Sequence, residues 1–302
     1  MASTHDYKED VRNSDIQIYI NGTYFHRSEA KISVMDSGYL LGDGVWEGIR
    51  LHKGKFLHLE NHLSRLYKGA KLLDIKLNLS LEKVKQALIE TVKINNMYTD
   101  VHIRLIVSRG IKKTPYQHPK VTVGPPNIVI IPEFKKVNIN DINKGIALVL
   151  VKTIRDYRVQ NPQINSLSKH NCIAACIEAA KLGADEGIML DPKNNVSTCN
   201  STNLFIVRNN EVWTSTGEYC LNGVTRGNII KICKANDVKV FEKNFLLDDV
   251  YLAQEVFVTG TFAGVIPVKS VDGFIVGDGE IGPLTKMLQD WYANSIEIMV
   301  AS

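Results

Sequence analysis

The residues best suited to chemistry lie in a turn that leads into an amphipathic helix. The segment LNGVTRGNIIKICKA, residues 221–235, places Gly223 at this turn. We expect the N–H groups of Val224 and Thr225 to be unpaired donors, because the first N–H groups of a helix have no intrahelical acceptor. Such a helix end is suited to bind an anion. The alternative is an ordinary helix start with Thr225 as its cap.

A second turn brings two hydroxyl groups beside a glycine. It is VFVTGTFAG, residues 256–264, in which Thr259 and Thr261 flank Gly260. Hydroxyl groups can donate hydrogen bonds to an anion. Taken singly, this segment predicts a turn and no more.

Composition narrows the class of ligand. The chain has 302 residues and is 44% hydrophobic, which is enough for one large or two medium domains with real cores. Its 36 Lys and Arg against 32 Asp and Glu leave a net charge of only +4. This charge is too dilute to attract nucleic acid or a membrane surface strongly. A small-molecule ligand is therefore the default expectation.

Cysteine usage and the N-terminus indicate the compartment. The five cysteines form no CxxC pair and have no histidines at metal-finger spacing. We therefore expect reduced thiols, no metal site and a cytoplasmic location. The first 15 residues contain no apolar signal segment, and no apolar run is long enough to cross a bilayer.

The elements that must position these residues divide the chain in two. We predict a flexible segment over residues 1–15, a small α+β domain over 16–131, a linker over 132–145 and a larger α+β domain over 146–302. The first domain opens with hairpins, one of them turning at Gly22-Thr23, followed by helices over 60–73 and 81–94. The second contains buried strands and two helices, over 171–182 and 227–236, without strict βαβ alternation.

Several ordered segments carry a resemblance to a known family. They are DSGYLLGDGVWEGIR (36–50), HLSRL (62–66), PQINSLSKHN (162–171), ADEGIMLD (184–191), VSTCNSTNLFIV (196–207), LNGVTR (221–226), VFVTGTFAGVIPV (256–268) and VDGFIVGDGEIGPLT (271–285). Together they resemble the class IV, fold type IV aminotransferases that use pyridoxal 5'-phosphate. Branched-chain and D-amino acid aminotransferases share this pattern, which covers about residues 16–292.

The resemblance implies an α+β fold of two domains with the cofactor between them, and a homodimer. It implies that Arg65 binds the cofactor phosphate together with the backbone N–H groups of Val224 and Thr225 and with Thr261. This agrees with the chemistry, because a guanidinium can bind phosphate in a bidentate manner. The cofactor-binding residues implied are Arg65, Thr198, Cys199, Asn200, Gly223, Val224, Thr225, Gly260 and Thr261.

The first departure from the family concerns its Schiff-base lysine. Where the family has Ile-Lys-Ser-Leu-Asn, this chain reads Ile-Asn-Ser-Leu-Ser, residues 164–168, and Asn165 cannot form an imine. Lys169 lies four residues on and is long enough to replace it. His170 follows, where branched-chain enzymes place a tyrosine that contacts the cofactor. The alternative is that Lys169 is a solvent-facing lysine in the first helical turn.

The second departure concerns the cofactor ring. The family has a glutamate that keeps the pyridine nitrogen protonated, whereas this chain has Thr198. A neutral hydroxyl can bond to an unprotonated ring nitrogen but cannot stabilise its proton by charge. Cys199 is adjacent, and its alternative roles are a reactive thiol and an inert buried cysteine.

On the substrate side, the resemblance points to Trp46 and Arg104. Arg104 alternates with Ile103 and Leu105, so we expect it on the opposite face of a strand, where it could bind a carboxylate or remain a surface charge. Tyr116 lies near the position of carboxylate-binding residues in D-amino acid enzymes.

The resemblance thus predicts a pyridoxal-phosphate-dependent aminotransferase-like enzyme acting on an amino acid and a keto acid, with Lys169 transferring the α-proton. A lyase, eliminase or racemase using the same cofactor is the alternative that Thr198 favours. A non-catalytic protein that binds the cofactor or phosphate is the alternative that Asn165 favours. No nucleic acid or membrane partner is expected.

Overall fold

A computed structural model describes residues 9–302, which fold into two compact units. The N-terminal unit comprises the described residues up to Lys136 together with Ile164–Lys169. The C-terminal unit comprises Val137–Gln163 and His170–Ser302. The segment Ile164–Lys169 therefore belongs to a different unit from the residues on either side of it.

The N-terminal unit is built on a six-stranded antiparallel sheet with the order β2-β1-β6-β5-β3-β4. Its strands are β1 (Gln17–Ile20), β2 (Thr23–His26), β3 (Gly44–His52), β4 (Lys55–Phe56), β5 (Val101–Ser108) and β6 (Asn127–Phe134). In β5, Ile103 and Leu105 are buried and Arg104 between them is exposed. This alternation was predicted, and it separates a core face of the sheet from an outer face.

Three helices complete the N-terminal unit, namely α1 (Ser37–Leu41), α2 (Leu59–Leu72) and α3 (Leu81–Ile94). Helix α2 packs on β3, and α3 packs on β1 and β6. Helix α2 buries Leu63, Leu66 and Ala70, whose spacing puts them on one side of the helix. The core of this unit therefore lies between the helices and the inner face of the sheet.

Tight turns fix the register of both hairpins. Lys53 and Gly54, between β3 and β4, have φ of 46° and 76°, which matches the twist of the flanking strands. Between β1 and β2 the turn residues are Asn21 and Gly22, with φ of 51° and 97°. The prediction of Gly22-Thr23 was therefore one residue too late, because asparagine tolerates positive φ better than a β-branched threonine.

The C-terminal unit is built on a nine-stranded mixed sheet with the order β12-β11-β10-β13-β14-β7-β8-β9, and β15 pairs with β14. Its strands are β7 (Ile146–Leu150), β8 (Glu186–Leu190), β9 (Val196–Cys199), β10 (Asn203–Arg208), β11 (Glu211–Thr214), β12 (Val240–Glu242), β13 (Glu255–Gly260), β14 (Gly264–Val271) and β15 (Phe274–Ile275). Strand β7 is parallel to β8 and β14, and most other pairs are antiparallel. This is an α+β arrangement without strict βαβ alternation.

Five helices belong to the C-terminal unit: α4 (Ile139–Asn143), α5 (His170–Lys181), α6 (Val224–Ala235), α7 (Leu247–Tyr251) and α8 (Pro283–Ala301). Helix α6 packs on α8 and β13, and α5 packs on β8. The helix predicted over 227–236 starts three residues earlier, at Val224. Its first turn carries few apolar residues, so periodicity did not mark it.

The units differ from the predicted domain boundaries in four places, and the first is Ile164–Lys169, which was predicted within the C-terminal domain but belongs to the N-terminal unit. Strand β6 runs to Phe134 and α4 starts at Ile139, both inside the predicted linker over 132–145. Within the predicted flexible segment, residues 1–8 lie outside the described residues, while Val11–Asp15 form a 3-10 helix. Asn13 anchors that helix through hydrogen bonds with the backbone of Phe134. No helix among the described residues is long and apolar enough to span a membrane.

A buried carboxylate anchors the start of α8. Glu255 on β13 accepts hydrogen bonds from the backbone N–H groups of Leu284 (3.0 Å) and Thr285 (2.7 Å) and from the Thr285 hydroxyl (2.6 Å). A Cβ at Gly282 would lie 2.2 Å from Cδ of Glu255, so a side chain there would displace the carboxylate. Glu255 thus satisfies helix N–H groups that have no intrahelical acceptor.

We predict that Glu255→Ala lowers the free energy of unfolding by about 2–3 kcal/mol, because it leaves buried donors without an acceptor. Urea denaturation followed by circular dichroism measures this change. Glu280→Ala removes an exposed glutamate from the same region and should have an effect near zero. Equal losses in the two variants would contradict the assignment.

Candidate active site

The segment Ile164–Lys169 pairs with the start of β3. The backbone N–H of Trp46 donates to the carbonyl of Asn165 (2.9 Å), and the N–H of Leu167 donates to the carbonyl of Gly44 (2.9 Å). The Trp46 indole N–H also donates to the carbonyl of Ser166 (3.2 Å). A Cβ at Gly44 would lie 2.5 Å from Leu167 and 2.4 Å from the carbonyl oxygen of Val107, so only glycine allows this approach.

This pairing holds Asn165, where the family resemblance predicts a lysine, beside the side chain of Lys169. The Lys169 ammonium donates to Oδ1 of Asn165 at 3.1 Å. Asn165 is buried and Lys169 is half-buried, just before α5 begins at His170. The side chain of Lys169 therefore folds onto residue 165 instead of extending into solvent.

Two cations contact the ring of Trp46. The Arg104 guanidinium lies 3.8 Å from the ring centroid, and the Lys169 nitrogen lies 5.3 Å from it. Both distances are within the range of cation–π attraction. No carboxylate among the described residues forms an ion pair with Arg104, so the guanidinium can receive the carboxylate of a ligand.

On the core face of β3, a buried carboxylate binds Arg65. Glu47 has 0% exposure, and its two oxygens accept from Nε (2.8 Å) and Nη2 (2.7 Å) of Arg65. His62, also buried, makes a 2.7 Å contact with the same carboxylate through Nδ1. Burial alone would raise the pKa of Glu47, but the hydrogen bonds from Arg65 and His62 outweigh it and lower this pKa.

His102 shares the outer face of the sheet with Arg104 and Trp46, because these residues occupy alternate or paired positions of β5 and β3. Burial and then the positive charge of Arg104 and Lys135 lower the pKa of His102 to about 3. His102 is therefore neutral near pH 7 and adds hydrogen-bonding capacity but no charge to this face.

In the C-terminal unit, the start of α6 is not capped by a side chain. The cap residue is Gly223, whereas Thr225 is buried in the first turn, so the alternative that Thr225 caps the helix is wrong. A Cβ at Gly223 would lie 2.2 Å from Oδ1 of Asn203, which explains the glycine. The N–H groups of Val224 and Thr225 thus lie at an uncapped helix N-terminus.

A buried hydroxyl without a partner lies on the same side. Oγ1 of Thr259 is buried and has no hydrogen-bond partner among the described residues. Thr259 is the cross-strand neighbour of Asn203, and such neighbours project to the same face of a sheet. Because Asn203 contacts Gly223 and the carbonyl of Leu221, Thr259 also projects towards the start of α6. Thr261, half-buried, and Gly260 follow at the end of β13.

Thr198 is buried on β9, and its hydroxyl donates to the carbonyl of Thr202 at 2.7 Å. The Thr202 hydroxyl in turn donates to the buried carboxylate of Glu186 at 2.8 Å. A hydroxyl has a single proton, so in this arrangement the oxygen of Thr198 offers only lone pairs to a ligand.

The other predicted site residues are placed as follows. Burial and the charge of Glu186 raise the pKa of the Cys199 thiol well above its usual range, which disfavours the reactive thiolate form. Asn200 accepts a hydrogen bond from the N–H of Gly187 (2.6 Å), which is a structural contact. His170 is exposed at the start of α5, and Tyr116 is 70% exposed in its loop. No group of metal-ligating side chains occurs among residues 9–302.

Sequence reasoning missed Glu47, His62 and His102. A signal for the first two was present, because Glu47 stands between the apolar residues Val45 and Ile49 at a core-facing position of a strand. An acid there needs a buried partner, and His62 and Arg65 are three apart on one side of a helix. For His102 no comparable signal existed.

We predict that His102 makes stability depend on pH. Between about pH 6 and pH 4 the unfolded chain binds a proton that the folded chain does not, so the free energy of unfolding falls as pH falls, by up to about 1.4 kcal/mol per pH unit. The variant His102→Gln should lack the part of this pH dependence that comes from His102. The free energy of unfolding from urea denaturation is measured at each pH for both proteins, and the difference between them cancels the pH dependence that Glu47 contributes to both. A ring resonance of His102 that titrates near neutral pH in NMR spectra would contradict the prediction.

The description "Amino-transferase class IV" belongs to the family model that matches residues 44–271. A putative branched-chain-amino-acid aminotransferase of Methanocaldococcus jannaschii is 36% identical over 91% of this chain and 94% of its own length. A D-alanine aminotransferase of Listeria monocytogenes is 32% identical over 93% of this chain and 96% of its own length.

Longer relatives exist as well. Branched-chain-amino-acid aminotransferase-like protein 1 of Arabidopsis thaliana is 35% identical over 94% of this chain. The chain spans about half, 51%, of the length of that protein.

Solved structures show the same fold. A branched-chain amino acid aminotransferase from T.th., in complex with N-(5'-phosphopyridoxyl)-L-glutamate, matches with a TM-score of 0.87, 28% identity and coverage of 93% of this chain and 94% of that one. The resemblance drawn from the ordered motifs, the α+β fold of type IV and the aminotransferase-like assignment are confirmed at the level of the family. The chain belongs to the class IV aminotransferases.

Proposed function

We propose that the chain is a pyridoxal-phosphate-dependent aminotransferase in which Lys169 supplies the amine that Asn165 cannot. The observation that carries the proposal is the 3.1 Å contact between the Lys169 nitrogen and Oδ1 of Asn165. It places a primary amine at the side chain that occupies the family's lysine position. The relatives named above support branched-chain or D-amino acids, with the matching keto acids, as the substrate class.

The residues present fit the cofactor. Within the C-terminal unit, the uncapped start of α6 and the partnerless hydroxyl of Thr259 suit a phosphate dianion, and within the N-terminal unit the guanidinium of Arg65, held by a carboxylate, does so as well. From the resemblance we assign the phosphate to Arg65, Val224, Thr225 and Thr261, and we add Thr259 as a further candidate because of its unpartnered hydroxyl. When bound, the cofactor would supply an electron sink that stabilises negative charge at the α-carbon of the substrate.

The chain's own residues then move the proton and hold the substrate. Nζ of Lys169, in its neutral form, would take the α-proton of the amino acid and hold it for return to the reacting molecule. Oδ1 of Asn165 orients this nitrogen by accepting its hydrogen bond. The guanidinium of Arg104, fixed against the ring of Trp46, binds the substrate carboxylate.

A second candidate reaction uses the same cofactor. A lyase, eliminase or racemase is favoured by Thr198, since a neutral hydroxyl stabilises a protonated ring nitrogen less than a glutamate does. Transamination remains our first choice, because the relatives are aminotransferases. A cofactor-binding protein without catalysis is the outcome expected if no lysine reacts.

We also propose a cytoplasmic homodimer. Three exposed apolar side chains are Val34 (69%) just before α1, Tyr39 (74%) on α1 and Tyr116 (70%) in the loop after β5, and the N–H of Lys112 in that loop donates to the carbonyl of Met35 beside α1 (2.9 Å). A cluster of exposed apolar residues is typical of a surface that contacts another chain. The five free cysteines support a reducing compartment.

The amine can be located chemically. We predict that protein incubated with pyridoxal phosphate and reduced with borohydride carries the pyridoxyl group on the peptide containing Lys169. Peptide mapping by mass spectrometry identifies the site. The matched control is Lys152→Ala, which removes an exposed lysine of the C-terminal unit and should label as the wild type does.

Lys169→Ala should lose the specific label and lower turnover by a factor of roughly a thousand, as expected when a proton-transfer group is removed. Cofactor that binds but is trapped on no lysine, or a Lys169→Ala variant with full turnover, would refute the mechanism.

The reaction type depends on residue 198. We predict that Thr198→Glu raises the ratio of keto acid to ammonia and racemised amino acid by roughly tenfold, equivalent to about 1.4 kcal/mol in relative barrier heights. The stereochemical and ammonia assays are run beside the keto-acid assay on the same preparation. Thr198→Ser preserves the hydroxyl and should leave the ratio unchanged. A ratio that is equal in all three proteins would show that residue 198 does not control the outcome.

A further inference from the structure

Glu47 is a carboxylate that the proposed reaction does not use. It lies in the middle of β3 on the core face, between the buried residues Val45 and Ile49. Moving a carboxylate out of water costs free energy unless it is paired and hydrogen-bonded. Its presence in an otherwise apolar strand face therefore needs an explanation.

The partners of Glu47 come from one side of α2. Arg65 donates through Nε and Nη2, and His62 contacts the same carboxylate through Nδ1. Two parallel bonds to one carboxylate determine the plane of a guanidinium as well as its position. The other edge of the guanidinium, formed by Nη1 and Nη2, therefore points in a direction that Glu47 determines.

The ionised state of Glu47 is part of this arrangement. Its pKa is lowered because the hydrogen bonds from Arg65 and His62 outweigh the effect of burial. The carboxylate therefore stays charged at neutral pH and holds Arg65 by a charge-assisted bidentate contact.

We propose that Glu47 is a positioning residue that orients the guanidinium of Arg65 for recognition of the cofactor's phosphate group. This inference rests on the proposed function, in which Arg65 binds that phosphate. Prealigning the donor avoids the loss of side-chain freedom that would otherwise accompany binding. Glu47 itself contacts neither the cofactor nor the substrate in this proposal.

A second arginine pair in the same unit supplies a matched control. Asp43 binds Arg109 in the same bidentate manner, through Nε (2.6 Å) and Nη2 (3.0 Å). Arg109 uses its guanidinium also to bind the carbonyls of Leu73 and Asp74. That pair joins parts of the fold and has no assigned ligand, so its loss affects stability alone.

The test compares pyridoxal phosphate with pyridoxal, which lacks the phosphate. Equilibrium dissociation constants are measured by fluorescence titration at a temperature where each variant is folded, as shown by circular dichroism. We expect Glu47→Gln to weaken pyridoxal phosphate binding roughly tenfold or more, the loss typical of a charge-assisted contact, with little change for pyridoxal. Asp43→Asn should leave the ratio of the two constants at the wild-type value.

Other outcomes distinguish a failure of the positioning role of Glu47 from a failure of the proposed function. Arg65→Gln must itself abolish the preference for the phosphorylated form, and if it does not, the phosphate assignment of the proposed function fails. If Arg65→Gln abolishes the preference while Glu47→Gln retains it, the positioning role is refuted and the function stands. An equal weakening of both ligands by Glu47→Gln would show that Glu47 is merely structural.

If Glu47→Gln does not fold, Glu47→Asp replaces it, because this variant keeps the charge but shortens the side chain and so displaces the carboxylate that holds Arg65. A partial loss of the preference for pyridoxal phosphate in Glu47→Asp would support the inference, and an unchanged preference would overturn it.

Discussion

The backbone hydrogen bonds between β3 and Ile164–Lys169 are the contact on which the candidate site of the N-terminal unit depends. They hold Asn165 beside Trp46 and thereby determine where the side chain of Lys169 can end. Gly44 permits the approach, since any larger residue would meet Leu167 and a neighbouring carbonyl. A segment of six residues thus contains both Asn165, where the resemblance predicts a lysine, and Lys169, its proposed replacement.

Neighbouring residues of β3 have different roles because their side chains lie on opposite faces of the sheet. Glu47 projects into the core, where it meets Arg65 and His62, while Trp46 projects to the outer face, where it meets Arg104. Consecutive side chains on a strand must point in opposite directions. Phosphate recognition and substrate recognition, as proposed, therefore depend on one rigid strand without competing for the same space.

Local sequence patterns predicted the helices and strands well, but they did not predict contacts between residues far apart along the chain. Helix α3 was predicted with its observed bounds, 81–94, because a capping serine precedes a regular apolar period. The pairing of Trp46 with Asn165 joins residues 119 positions apart along the chain, and no local period encodes it. The start of α6 was placed too late for the related reason that its first turn packs little apolar surface. The burial of Glu47, by contrast, could have been predicted from the alternation of side chains along the strand, although it was missed.

Residues 165 and 169 reach the same place from different points of the backbone. A chain with lysine at both positions would offer an amine there from either one. The amine could then pass from one residue to the other by two single substitutions, neither of which removes it from the site. If Lys169 supplies the amine as proposed, the contact between residues 165 and 169 gives evolution a route by which a functional group can move along a sequence while remaining in the same place.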